Sequence, residues 1–85
     1  MGFIVYILEN ADGKFYVGQT DDLDRRVAEH NDPAHNARKY TSKQAGPWRL
    51  VFSEEHPTRA EAMDRERFIK SRKSAAWIRQ NLLNR

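Results

Sequence analysis

The run Phe3-Ile4-Val5-Tyr6-Ile7-Leu8 leaves the fewest choices to the fold. It is β-branched and aromatic, which favours a strand, and both of its alternating faces are apolar. A strand of that kind needs cover on both sides, so it belongs at the centre of a sheet with other elements packed above and below. Asn10-Ala11-Asp12-Gly13 follows, a four-residue link whose glycine can take positive φ, and then a second run, Lys14-Phe15-Tyr16-Val17-Gly18-Gln19. The spacing predicts an antiparallel hairpin. With a tight turn Tyr6 and Tyr16 lie near opposite positions and project toward one face, an arrangement that a one-residue bulge would reverse.

Thr20, Asp21 and Asp22 offer N-cap oxygens to a helix that runs to about Asn31 and cannot pass far beyond it because of Pro33. Leu23 and Val27 mark its buried stripe. Arg26 and His30 share a helix face beside that stripe, and Arg25 points elsewhere. After a polar, basic loop through Lys39-Tyr40-Thr41 and a Gly46-Pro47 turn, Trp48-Arg49-Leu50-Val51-Phe52 reads as a third strand. Thr58 and Glu61 form a capping box that opens a helix in which Ala62, Met63 and Ile69 fall on one arc, with Glu66 inside it. A carboxylate on a buried arc requires an arginine, a hydroxyl or a metal cation, and Arg26 is the natural ion-pair candidate. Ser74 to Leu82 closes the chain as a short helix with Trp77 on the core. The expectation is an α+β fold of order β-β-α-β-α-α, a three-stranded antiparallel sheet with helices packed on it. The 85 residues leave room for one domain, 1–85.

Composition narrows the function classes. Without cysteine there is neither a disulfide framework nor a thiolate metal site, which suits a reducing compartment. Phe3 to Leu8 is too short for a signal peptide or a membrane span, so a cytoplasmic location without a membrane partner is expected. The net charge of +3 is segregated: residues 1–32 sum to −4, residues 33–53 to +4 with no acid among them, and residues 54–85 to +3. Arg38, Lys39, Tyr40 and Lys43, followed by Lys70, Arg72 and Lys73, form a candidate surface for backbone phosphates. Trp48 and Trp77 read as core aromatics, the commoner use of tryptophan in a chain this small.

Tyr6, Tyr16, Arg26 and His30 put two phenols, a guanidinium and an imidazole into one hairpin-plus-helix unit, a set able to hold and cut a phosphodiester if a carboxylate supplies a metal. Glu66 is a candidate, with an arginine or a hydroxyl as its alternative partners. Taken singly, the tyrosines also suit half-buried strand positions, His30 a helix end and Arg26 an exposed surface.

The ordered set resembles the GIY-YIG nuclease domain, in its small stand-alone bacterial form and akin to the N-terminal domain of excinuclease C. The first triplet is Ile4-Val5-Tyr6, keeping only the tyrosine, and the second is Tyr16-Val17-Gly18, keeping tyrosine and glycine. Asp22-Leu23-Asp24-Arg25-Arg26, His30, Lys39-Tyr40-Thr41 and Glu66-Arg67-Phe68-Ile69-Lys70 follow in family order. The resemblance implies Tyr16 as general base with Tyr6 beside it, Arg26 on the scissile phosphate, and His30 assisting proton transfer or positioning. It further implies one divalent ion, Mg2+ or Mn2+, on Glu66, and Gly18 as a structural glycine admitting close approach. Gln19 stands where some relatives carry a lysine. A tyrosine of ordinary pKa, about 10, is only about a thousandth phenolate at neutral pH, so Arg26 and a metal on Glu66 would have to favour its ionisation. Lysine at Arg26 should fail, because it lacks the bidentate fork.

The expected function is therefore metal-dependent endonuclease hydrolysis of DNA, directed by structure more than by sequence, with a place in DNA repair. The alternatives are a catalytically silent nucleic-acid-binding module of the same fold and an interaction domain serving a partner protein. A separate partner would account for targeting, since the sequence carries no appended DNA-binding segment.

Overall fold

The computed structural model describes residues 2–32 and 47–84. The chain runs β1 (Phe3–Glu9), β2 (Phe15–Thr20), α1 (Leu23–His30), β3 (Arg49–His56), α2 (Arg59–Ser71) and α3 (Ala75–Asn81). The sheet order is β2-β1-β3 with both pairs antiparallel. The doubly apolar strand is thus central, and Val5, Tyr6, Ile7 and Leu8 are fully buried.

Alternation along β1 divides the core into two layers. Val5 and Ile7 join Val17, Ala62, Ile69 and Ile78 beneath α2 and α3. Tyr6 and Leu8 join Trp48 on the other face, where Leu23 and Val27 of α1 pack against them beside Tyr16. Trp77 packs against the first layer.

The hairpin turn is built by Asn10, whose Oδ1 accepts from the backbone N–H of Asp12 at 3.0 Å and of Lys14 at 2.9 Å, while Gly13 takes φ 79°. This loop fixes the register. Tyr6 pairs with Gly18 and Leu8 with Tyr16, so the tyrosines share a face as diagonal neighbours, not as directly opposed partners. The third strand extends past Phe52 to His56. Its polar end is stable because β1 offers Phe3 to Val5 as pairing partners, and Glu54 is held by Arg65 at 2.9 Å and His56 at 2.7 Å. A register shift between Ile7 and Leu8 places Val51 as an extra residue. Val51 and Phe52 therefore both reach the first core layer, which neighbours in a regular strand cannot do.

Asp22 caps α1 by accepting from the Arg25 N–H at 3.1 Å, and Thr58 caps α2 by accepting from the Glu61 N–H at 3.2 Å. On α2 the buried stripe is Ala62 and Ile69, while Met63 is 43% exposed. The helix turns about 100° per residue, which carries Met63 past the edge of a stripe whose centre is already taken by Glu66. Asn31, just past α1, clasps the backbone of Trp48: its Nδ2 donates to the Trp48 carbonyl at 3.0 Å and its Oδ1 accepts from the Trp48 N–H at 2.7 Å.

Candidate active site

The second layer of the core holds the sequence candidates. The Tyr6 ring lies over Gly18, whose missing side chain leaves the space: a Cβ there would stand 2.7 Å from the Tyr6 Oη and 2.8 Å from its Cζ. Two residues from one face of α1 meet that hydroxyl. His30 Nε2 is 3.0 Å from it, and the Arg26 guanidinium hydrogen-bonds it. The proton of the Tyr6–His30 bond comes from the phenol or from the imidazole according to the His30 tautomer, and the Arg26 charge acts on the same oxygen. Tyr16 completes the cluster, its ring centroid 4.5 Å from that of His30, 6.3 Å from that of Tyr6 and 6.3 Å from that of Trp48. The i, i+4 spacing of Arg26 and His30 thus acts as their position on the helix implied, with both side chains converging on one oxygen.

Burial pushes the Tyr6 phenol up to about 12, with the nearby Tyr16 and Glu66 adding to the rise and the Arg26 hydrogen bond opposing it. Tyr6 is therefore a neutral phenol at physiological pH, a donor and positioning group. Burial lowers the Arg26 pKa, but its contacts with Tyr6 and Glu29 outweigh that effect and leave it raised, hence firmly cationic.

The same shift has a consequence for stability. A group whose pKa is raised on folding contributes stability that is complete below its unfolded value and is lost as pH rises through the folded value. For Tyr6 the window is pH 10 to about 12. Urea titrations of wild type and Tyr6→Phe should diverge there, with wild type losing about 2 kcal/mol more between about pH 9 and 11.5. Parallel pH profiles for the two proteins would count against this assignment.

Glu66 lies near enough for its charge to act on Tyr6, yet its ion-pair partner is neither Arg26 nor a hydroxyl. Arg26 Nη1 pairs with Glu29 at 2.9 Å, and Glu66 Oε2 pairs with Lys70 Nζ at 2.7 Å, one helical turn on. An i, i+4 lysine satisfies the half-buried carboxylate locally, so the long-range pair with Arg26 is not needed. Among the described residues no group of three or more His, Cys, Asp or Glu side chains could hold a metal. A carboxylate that is 21% exposed and paired with a half-exposed lysine still fits one mode of ion binding, in which Mg2+ keeps most of its water and takes one carboxylate plus substrate phosphate.

Of the other basic candidates, Lys70 thus adjoins the site. Arg72 lies with its guanidinium 4.9 Å from the Phe68 ring centroid, and Lys73, at φ 51°, forms the turn into α3. Neither touches the tyrosine cluster. Arg38, Lys39, Tyr40 and Lys43 lie outside the described residues. A polar hollow of about 180 Å³ opens beside Arg26, bounded by Gln19, Thr20, Asp21, Arg25 and Arg59. Arg59 has no signature in the sequence beyond following a cap, because only the tertiary fold brings the start of α2 to α1.

Comparison with known proteins agrees with this fold. The family described as the GIY-YIG catalytic domain matches residues 2–81. A UPF0213 protein of Halobacterium salinarum is 46% identical over 66 residues, covering 78% of this chain and 82% of that protein. A UPF0213 protein of Halalkalibacterium halodurans is 43% identical over 70 residues, covering 82% of this chain and 71% of its own. The solution structure of the UPF0213 protein from Bacillus halodurans superimposes with a TM-score of 0.55 at 37% identity, over 95% of this chain and 86% of that one. No helix among the described residues is long and apolar enough to cross a membrane.

Proposed function

The chain belongs to the GIY-YIG catalytic domain family, a nuclease-type family, and on that premise we propose that it is a metal-dependent endonuclease hydrolysing phosphodiester bonds in DNA. The observation that carries the reading is the meeting of Arg26 and His30 on the buried Tyr6 hydroxyl, with the Tyr16 ring tilted against the same imidazole. Residues 1–85 act as one domain, and the small surface left for base readout favours recognition of backbone shape over sequence.

In this reading Arg26 binds the scissile phosphate through its guanidinium, whose charge is fixed by Glu29 and Tyr6. Tyr6 does not ionise. It holds Arg26 and His30 in register and keeps a proton on the His30 side of the site. Tyr16, once its own proton has passed to solvent, is then the phenolate that takes a proton from the attacking water, with His30 against its ring to position it. Glu66 would hold one Mg2+ or Mn2+, which when bound supplies charge neutralisation for the phosphate and the leaving oxygen. Engaging Glu66 in this way frees Lys70 to meet a phosphate. Arg26→Lys keeps the charge but loses the two-point grip, and should lower kcat about a hundredfold in a cleavage assay.

The test is incubation of purified protein with branched, flapped and single-stranded DNA in Mg2+ or Mn2+. Cleavage above that of a Glu66→Ala control supports the proposal. Salt-dependent binding of every substrate with no cutting would assign the chain instead to a silent nucleic-acid-binding module, for which the closed Glu66–Lys70 pair is the favouring observation.

A further inference from the structure

Arg59 stands apart from the other cations near the site. It opens α2 on an exposed position, and among the described residues it makes no ion pair. Its guanidinium instead lies 5.3 Å from the centroid of the Phe3 ring. A cation–π contact orients a guanidinium without neutralising it. Arg59 is thus held in place with its charge uncompensated, at the rim of the polar hollow that Arg26 also lines. The third arginine there, Arg25, is bound only by an exposed i, i+4 pair with Asp21 at 3.2 Å and a longer one with Glu29 at 3.9 Å. Exposed pairs of this type contribute little and exchange readily for a stronger anion. Three arginines against the lining Asp21 and the Glu29 carboxylate paired with Arg26 leave the hollow with one positive charge in excess. Its volume of about 180 Å³ admits one phosphate group with water.

We propose that this hollow is a second phosphate subsite, in which Arg59 and Arg25 take a backbone phosphate flanking the one held by Arg26. The inference rests on the nuclease reading for the identity of the strand, and it adds a direction: the substrate backbone passes from the tyrosine cluster over the end of β2 toward the start of α2. Arg26 then serves as the shared wall between two phosphates, and Arg59 is a positioning residue that touches no reacting atom.

The probe is a fluorescein-labelled DNA duplex in EDTA, where nothing is cut, titrated as salt is raised from about 50 to about 200 mM. Each phosphate contact adds about 0.9 to the slope of log affinity against log salt. Arg59→Met should lower the slope by about that much and weaken binding about three- to tenfold at the lower salt, while Arg59→Lys keeps the slope. Arg67→Met is the control, removing an exposed arginine of the same helix whose nearest anion is Asp64 at 3.8 Å. In cleavage assays Arg59→Met should raise KM and spare kcat. An unchanged slope in Arg59→Met, or an equal fall in Arg67→Met, would overturn the subsite. If wild type binds but never cuts, the nuclease reading fails and the slope still decides the subsite. If wild type does not bind DNA, both fall.

Discussion

Glu66→Ala should lose cleavage about a thousandfold while leaving the fold intact. Removing the ligand of a single-carboxylate site removes the ion, whose stabilisation of transition-state charge is several kcal/mol, and about 4 kcal/mol corresponds to three orders of magnitude. The cost to stability is small by comparison. The Glu66–Lys70 contact is an i, i+4 pair at a partly exposed position, worth about 0.2–0.5 kcal/mol, and alanine is the better helix former at that site. Urea midpoints of the two proteins should therefore agree to within about 0.5 kcal/mol. Glu66→Gln, which keeps the shape and loses the charge, should fail as completely. Activity within tenfold of wild type in either variant would remove Glu66 from the chemistry, and a collapsed fold would return it to a structural role.

Gly18→Ala carries the largest structural effect. Its Cβ would meet the Tyr6 Oη at 2.7 Å and Cζ at 2.8 Å, and Tyr16 Cε1 at 3.2 Å. A long flexible side chain would yield, but Tyr6 is a rigid ring with no solvent exposure, packed with Leu8 and Trp48 and bonded to His30. Either β2 moves away from β1 or the phenol leaves its pocket, and overpacking of this kind costs about 1–3 kcal/mol. Displacing the hydroxyl also loosens Arg26 and His30 together, so kcat should fall about a hundredfold. In a Tyr6→Phe background the contact with Oη is gone, and the stability cost of Gly18→Ala should shrink measurably, a coupling that a double-mutant cycle reads directly. Equal costs in both backgrounds would mean that the glycine serves the strand and not the tyrosine.

Much of this fold is written in local patterns. The doubly apolar β1, the Asn10–Gly13 turn and the caps at Asp22 and Thr58 each carry their cause within a few residues. That Arg26 and His30 share a helix face follows from helical periodicity alone, whereas their meeting on Tyr6 needs the tertiary fold. Legibility ends where long-range pairing decides. The polar half of β3 is a strand because β1 is beside it, Met63 is exposed because the stripe of α2 is narrow, and the offset between Tyr6 and Tyr16 follows from the loop register. Glu66 was expected to meet an arginine, a hydroxyl or a metal cation, and a lysine four residues away pairs with it instead. Arg59 could not be found from the sequence at all, since its proximity to Arg26 exists only once α2 has packed.

The clasp between Asn31 and Trp48 braces the site from behind. Two hydrogen bonds, at 3.0 and 2.7 Å, fasten the end of α1 to the entry of β3 across 17 positions of sequence. His30 directly precedes Asn31, and Trp48 packs in the same core layer as Tyr6. The clasp therefore joins the imidazole to the phenol through the backbone as well as through their own 3.0 Å hydrogen bond, so neither partner can drift without straining the other.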